Sequence, residues 1–262
     1  MDISITESVG FEGSNNADDV RALQAALKEA ARLTMDHGLD PGPVDGRCGV
    51  GTEGAIEHFQ RRIGMRRPDA RIDPNGHTLR RLNALLAIDS VRPAFPFARH
   101  SEFPFIGAGA GMRAFGSRRS DGTRVHAGID LYFPDFTAVR AMADGVVTRG
   151  PYPFYLRTFA IEIDHGPFVA RYGELAAESV WFVEEGHEVE RGRQVGRVGV
   201  LTRDDGMRLG VPSMMLHLEM YDKTETGKLT RAAGTSARDS AGRPYFRRRD
   251  IVDPSGFVHD AL

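Results

Sequence analysis

The chain has 262 residues, enough for one large domain or two small ones, each with its own core. Its 34 Lys and Arg side chains stand against 36 Asp and Glu, so no global charge draws it to nucleic acid or an anionic membrane. The single cysteine, Cys48, excludes an internal disulfide and a cysteine-rich zinc site, so any metal must be held by His, Asp or Glu.

Residues 18–33, DDVRALQAALKEAARL, place Val20, Leu23, Leu27 and Ala30 on one helical face behind an acidic cap at Asp18 or Asp19. DHGLDPGPVDGRCGVGT then forces turns through its Gly, Pro and Asp content. A second helix is predicted in TEGAIEHFQRRIG, with Ala55, Ile56, Phe59 and Ile63 inward, and a third in TLRRLNALL, with Leu79, Leu82, Leu85 and Leu86 inward. An echo links VDGRCGVGTEGAIEHF to RIDPNGHTLRRL: each has an acidic turn, a glycine, a threonine and an apolar helix, which points to a small helical module. Leu23-Gln24, Asp45-Gly46, Gly49, Thr52, Ala55-Ile56 and Phe59-Gln60 together resemble the peptidoglycan-binding repeat over about residues 15–87. The resemblance implies a three-helix fold that holds wall polymer; the alternative is that these residues fix core and turns only.

Residues 88–112 carry Pro93, Pro96 and Pro104 with Phe95, Phe97, Phe103 and Phe105 and show no periodicity, so they are expected to form a linker packed onto a domain. From 113 onward, short β-branched runs alternate with glycine turns, which predicts an antiparallel β domain over 113–262 without a long helix. The expected fold class is therefore α+β and multidomain: a small three-helix bundle over 1–87, the linker, then a mainly antiparallel β domain.

SMMLHLEMY puts Met215, His217 and Glu219 on one strand face and Leu216, Leu218 and Met220 on the other. His217 reads either as a core histidine satisfied by Glu219 or a carbonyl, or as a metal ligand. Partners for the second reading stand in RVHAGIDLYF, where His126 and Asp130 lie four apart and Gly128 favours an extended or bulged strand over a helix. Two imidazoles and a carboxylate give three ligands with one position open, the ligand count of a catalytic zinc, although nickel, cobalt or manganese can compete.

From MRAFGSRRSDGTRVHAGIDLYF through ADGVV, RYGEL and GHEVERGRQVG to LHLEMY, residues 112–221 resemble the lysostaphin-like (LytM) zinc endopeptidases in motif order and spacing. The resemblance implies a LytM-like β-sandwich, zinc on His126, Asp130 and His217, and hydrolysis of peptide cross-links in bacterial peptidoglycan. Two further family histidines are absent, their positions being held by Glu174 and Met215. Glu174 reads as a general base, as a fourth metal ligand, or as a surface residue paired with an arginine such as Arg171. Arg113, Arg118 and Arg124 read as binders of substrate carboxylates or as solvated side chains, and His37, His58, His77, His165 and His187 as surface or structural.

The function expected is a zinc-dependent peptidoglycan hydrolase tethered to the wall. The alternative is a non-hydrolytic, degenerate LytM-like protein that binds peptidoglycan or regulates. No run approaches a transmembrane length, so no membrane insertion is expected, and MDISITESVGFEGSNN lacks the basic and apolar regions of a secretory signal. Action in the periplasm or extracellular wall then implies a delivery partner, such as a phage tail or contractile secretion system, and for an antibacterial effector a neutralising immunity protein. The RRRD run lacks a wider basic field, so nucleic acid is not expected as a partner.

Overall fold

The computed structural model describes residues 2–180, 183–210, 212–259 and 261. They form two compact units, one of Met1–Ser90 with Asp222–Asp250 and one of Val91–Tyr221 with Ile251–Leu262. Residues 222–250, expected within the β domain, thus belong to the helical unit. Residues 91–112, expected as a linker, are part of the β unit. There Phe95, Phe97 and Phe105 are buried, and Phe97 stacks on Phe133 with 3.8 Å between ring centroids. Removing that aromatic surface from water is what holds the segment down.

In the helical unit, β1 (Val9–Gly10) pairs antiparallel with β2 (Arg71–Ile72) beside α1 (Ala17–Thr34), α2 (Val50–Arg62) and α3 (His77–Ile88). Asn16 caps α1 by accepting from the Asp18 N–H. The predicted inward residues are buried, except that Ile63 caps α2 and is half-buried. The internal echo has a structural basis in two glutamines. Gln24 Oε1 accepts from the Asp45 and Gly46 N–H groups at 3.0 Å, and its Nε2 donates to Arg47 O and Thr52 Oγ1 at 3.1 Å. Gln60 repeats this with the Asp69 and Ala70 N–H groups and Arg71 O, all at 2.9 Å. The equivalent turns are therefore Asp45-Gly46-Arg47 and Asp69-Ala70-Arg71, and both Gly46 (φ 78°) and Ala70 (φ 53°) take the left-handed conformation. The 222–250 segment joins this unit through buried Arg81, which donates to Asp222 Oδ2 at 2.8 Å and to Arg249 O at 3.1 Å. Arg248 pairs with buried Asp250 through two bonds of 2.7 and 2.8 Å, so this part of the RRRD run is structural.

The β unit opens with the ribbon β3 (Arg118–Arg119) and β4 (Arg124–Val125). β5 (Ile129–Tyr132) follows, then β6 (Ala138–Arg140), β7 (Gly145–Pro153), β8 (Phe159–Asp164), β9 (Val169–Leu175) and β10 (Glu188–Val189). β11 (Gln194–Arg197), β12 (Gly199–Val200), β13 (Met214–Tyr221), β14 (Ile251–Val252) and the short α4 (Ser255–His259) complete it. The main sheet runs β10-β7-β8-β9-β13-β12, β5 and β14 also pair with β13, and β6 and β11 form a separate ribbon. All of these pairings are antiparallel. Every residue of Met215–Tyr221 is buried, on the polar as well as the apolar face. Among the described residues no helix is long and apolar enough to cross a membrane.

Candidate metal centre

β13 and β5 lie in a register that sets His217 directly opposite Asp130, and cross-strand neighbours share a face. His126 reaches the same face by another route. It follows β4, anchored by its N–H to Ser117 O at 2.8 Å, and the chain then crosses β13 at Gly128. A Cβ on Gly128 would lie 2.3 Å from Leu218 O, so only glycine permits this approach. The four-residue spacing is thus neither a helical turn nor a single strand; it is a loop folded over a neighbouring strand.

Three ligand-type atoms result. His126 Nε2, His217 Nδ1 and Asp130 Oδ1 form a triangle with each side 3.0 Å. Atoms about 2.0–2.1 Å from one tetrahedral ion stand roughly 3.3 Å apart, so the set fits a small cation with little adjustment. Each group's remaining atom is engaged elsewhere. His126 Nδ1 lies 3.0 Å from Ala114 O, and His217 Nε2 lies 2.9 Å from Glu219 Oε1. Asp130 Oδ2 accepts from Arg119 Nη2 at 2.8 Å. Burial opposes ionisation of Asp130, but its bonds to the two imidazoles outweigh that and hold its pKa well below the usual carboxylate range. Burial depresses His126, whereas on His217 the bonds to Asp130 and Glu219 overcome burial and raise its pKa to about 9.

Glu174 approaches from β9. There β8 presents one residue between Phe159 and Ile161 while β9 presents Gly173 and Glu174, which makes a bulge, and Glu174 takes a φ of 62°. A bulge of this kind re-aims a side chain. Gly173 must stay bare, since a Cβ there would meet the Phe154 ring at 2.7 Å. Glu174 is buried, and its Oε2 has no hydrogen-bond partner among the described residues. Burial, reinforced by the charge of Asp130, lifts its pKa to about 8. The expected pairing with Arg171 at the surface does not occur. Among the described residues the tight ligand cluster is His126, Asp130 and His217, so Glu174 stands beside it rather than in it.

Arg171 serves a different partnership, one that sequence reasoning missed. The register places Glu162 of β8, Arg171 of β9 and Glu219 of β13 side by side in one row across the sheet. Arg171 donates at 2.9 Å to Glu162 Oε1 and at 2.9 Å to Glu219 Oε2, and the Tyr152 hydroxyl donates to Glu162 at 2.7 Å. His217 therefore meets Glu219 through Nε2, as its structural reading expected, and leaves Nδ1 facing Asp130, the atom a metal-ligand reading would use. The two readings concern different nitrogens.

The remaining named residues take other places. Met215 shares the His217 face of β13 and is buried. Arg113 donates to Pro104 O and Gly109 O, Arg118 is exposed, and Arg124 donates to Ser120 Oγ. Arg119, which sequence reasoning overlooked, is the arginine that bonds to the cluster's Asp130. His165 takes the structural of its two expected roles: it is buried, with Nδ1 at 3.1 Å from Asp144 O and Nε2 at 3.0 Å from the Tyr172 hydroxyl. His58 pairs with Asp36 at 3.0 Å, and His187 is exposed in its turn.

Residues 124–228 match Peptidase family M23 and residues 16–82 match a putative peptidoglycan binding domain. The chain thus carries an M23 peptidase domain preceded by a peptidoglycan-binding-type domain. No curated protein matches it. Among solved structures it is similar to the catalytic domain of lysostaphin from Staphylococcus simulans, at 18% identity over 56% of this chain and 89% of that one, with a TM-score of 0.37. It is also similar to a prophage-encoded M23 protein from Enterococcus faecalis, at 21% identity over 51% and 92%, with a TM-score of 0.36. A zinc-containing peptidase from Vibrio cholerae is similar at 21% identity over 48% and 35%, with a TM-score of 0.34.

Proposed function

We propose that this pairing of an M23 domain with a peptidoglycan-binding domain is a zinc-dependent endopeptidase that cuts the peptide cross-links of bacterial peptidoglycan. The observation that carries the reading is the triangle of His126, Asp130 and His217 together with the buried, unpartnered Oε2 of Glu174, a carboxyl near enough to feel the charges of Asp130 and His217. A buried polar atom without a partner is costly, and in a native protein it calls for a ligand, a water or a proton to complete it. Two imidazoles and a carboxylate also suit zinc by donor type.

His126, Asp130 and His217 would hold the ion. When bound, zinc supplies polarisation of the scissile carbonyl and acidification of water. Glu174 takes the proton from the attacking water and returns it to the leaving amine. Burial raises the pKa of this carboxyl above the ordinary range, toward the neutral pH at which a group both takes and returns a proton. The helical module raises the local concentration of wall polymer at the pocket. The site of action is accordingly the periplasm or extracellular wall.

Purified sacculi incubated with the zinc-loaded protein test the reading. Release of new amino termini that stops with chelator and returns with zinc is expected. Zinc fully bound without any cleavage would instead establish a wall-binding or regulatory protein, a role that Met215, with no proton to give, would suit.

A further inference from the structure

We propose that Arg119 stabilises the oxyanion that forms on the scissile carbonyl; this rests on the hydrolase reading above. Arg119 ends β3, across the ribbon from Arg124, two residues before His126. Its side chain is only 13% exposed, and its Nη2 donates to Asp130 Oδ2, on the side of that carboxylate away from the imidazoles. A guanidinium carries five N–H donors in a rigid fork. Among the described residues Asp130 is the only hydrogen-bond partner of the Arg119 side chain, so the N–H groups of Nε and Nη1 are left to donate.

Amide hydrolysis needs a donor where negative charge develops, and the groups that frame the pocket narrow the choice. Asp130 and Glu174 are acids, and Met215 has no N–H or O–H. His126 and His217 have both ring nitrogens engaged, one within the triangle and the other on Ala114 O or Glu219. Among these groups Arg119 is the remaining side-chain donor and the cationic one; Tyr132, opposite Met215 on the same face, offers a neutral hydroxyl that is engaged with Arg113.

In the step itself, a water oxygen bonds to the carbonyl carbon while its proton passes to Glu174. The carbonyl π pair moves onto oxygen and is held by Arg119 N–H groups, which keep their protons. When the C=O bond re-forms, the C–N bond breaks and Glu174 protonates the departing nitrogen. Preorganised donors of this kind typically contribute about 10²–10³ in kcat.

The test compares wild type, Arg119→Gln and Arg119→Lys on purified cross-linked muropeptides, with zinc affinity measured separately by competition against a chromophoric chelator. Arg119→Gln is expected to lower kcat by roughly 10²–10³ with KM little changed, and Arg119→Lys to recover part of the loss. Affinity for a phosphinate pseudopeptide of the cross-link should fall in step with kcat. Zinc affinity should hold or rise, because a cation beside the ligand carboxylate is removed. Unchanged kcat in Arg119→Gln, or a kcat loss matched by loss of zinc, would overturn the assignment and leave Arg119 as a partner of Asp130 alone. A zinc-loaded wild type that cuts nothing would overturn the hydrolase reading and this proposal with it.

Discussion

Glu219 stands two residues beyond His217 on the same strand, and 2.9 Å separates its Oε1 from His217 Nε2. When the ring is neutral and binds an ion, this contact would hold its proton on Nε2 and leave the Nδ1 lone pair for the metal, on the side of Asp130 and His126. Glu219 is itself fixed by Arg171, which is fully buried between Glu219 and Glu162. The pocket therefore rests on a row of alternating charges across three strands, and outer partners of this kind orient ligands and tune their basicity.

Replacing Glu219 should accordingly be read at the metal. Glu219→Gln retains an acceptor oxygen but removes the charge that Arg171 pairs with. We expect zinc affinity to fall about 10–100-fold while the fold persists. Competition against a chromophoric chelator measures it, and an affinity equal to wild type would remove Glu219 from the account of the site.

Glu174→Gln separates proton transfer from metal holding. The amide preserves shape, so zinc stoichiometry should stay at the wild-type value. Cleavage of sacculi should drop by roughly 10²–10⁴. Loss of zinc together with activity would instead make Glu174 a ligand.

His165 predicts an acid limit to stability. Burial holds its pKa down at about 4, below the ordinary 6.5, with Nε2 accepting from Tyr172. The folded state therefore binds fewer protons than the unfolded chain between those values. Its contribution is complete above pH 6.5 and is lost as pH falls toward 4, by about 3 kcal/mol in all. Urea titrations across that window should show the slope in wild type and a shallower one in His165→Gln; equal slopes would assign the acid sensitivity elsewhere.

Arg81→Ala should destabilise the helical unit. It leaves Asp222, nearly inaccessible to water, without its 2.8 Å partner. Breaking one side of a buried ion pair costs about 3–5 kcal/mol. Arg81→Ala with Asp222→Asn should recover much of that, as measured by thermal unfolding, and a single variant as stable as wild type would show that the pair contributes little.

Periodicity made the three helices legible, since Val20, Leu23, Leu27 and Ala30 face the core by spacing alone. The strands from β6 onward were legible for the same reason, in runs bounded by glycine. The His126–Asp130 spacing alone said little; the order of motifs out to LHLEMY pointed to these residues with His217, and the register of β5 on β13 brings the three together. What sequence could not show depends on register. Glu162, Arg171 and Glu219 look like solvated charges until β8, β9 and β13 bring them opposite one another. Arg119 differs from Arg118 only in which way its strand presents it. The 222–250 segment has β-like punctuation but is held in the helical unit by Arg81, a long-range pairing that no local pattern encodes.

The most direct measurement is the metal content and coordination of the purified protein supplied with zinc. The account predicts one zinc per chain, bound through two imidazoles and one carboxylate with a water completing the shell, and lost in His126→Ala and His217→Ala. A protein that stays metal-free under zinc excess, or one that binds zinc equally well without those two imidazoles, would contradict it.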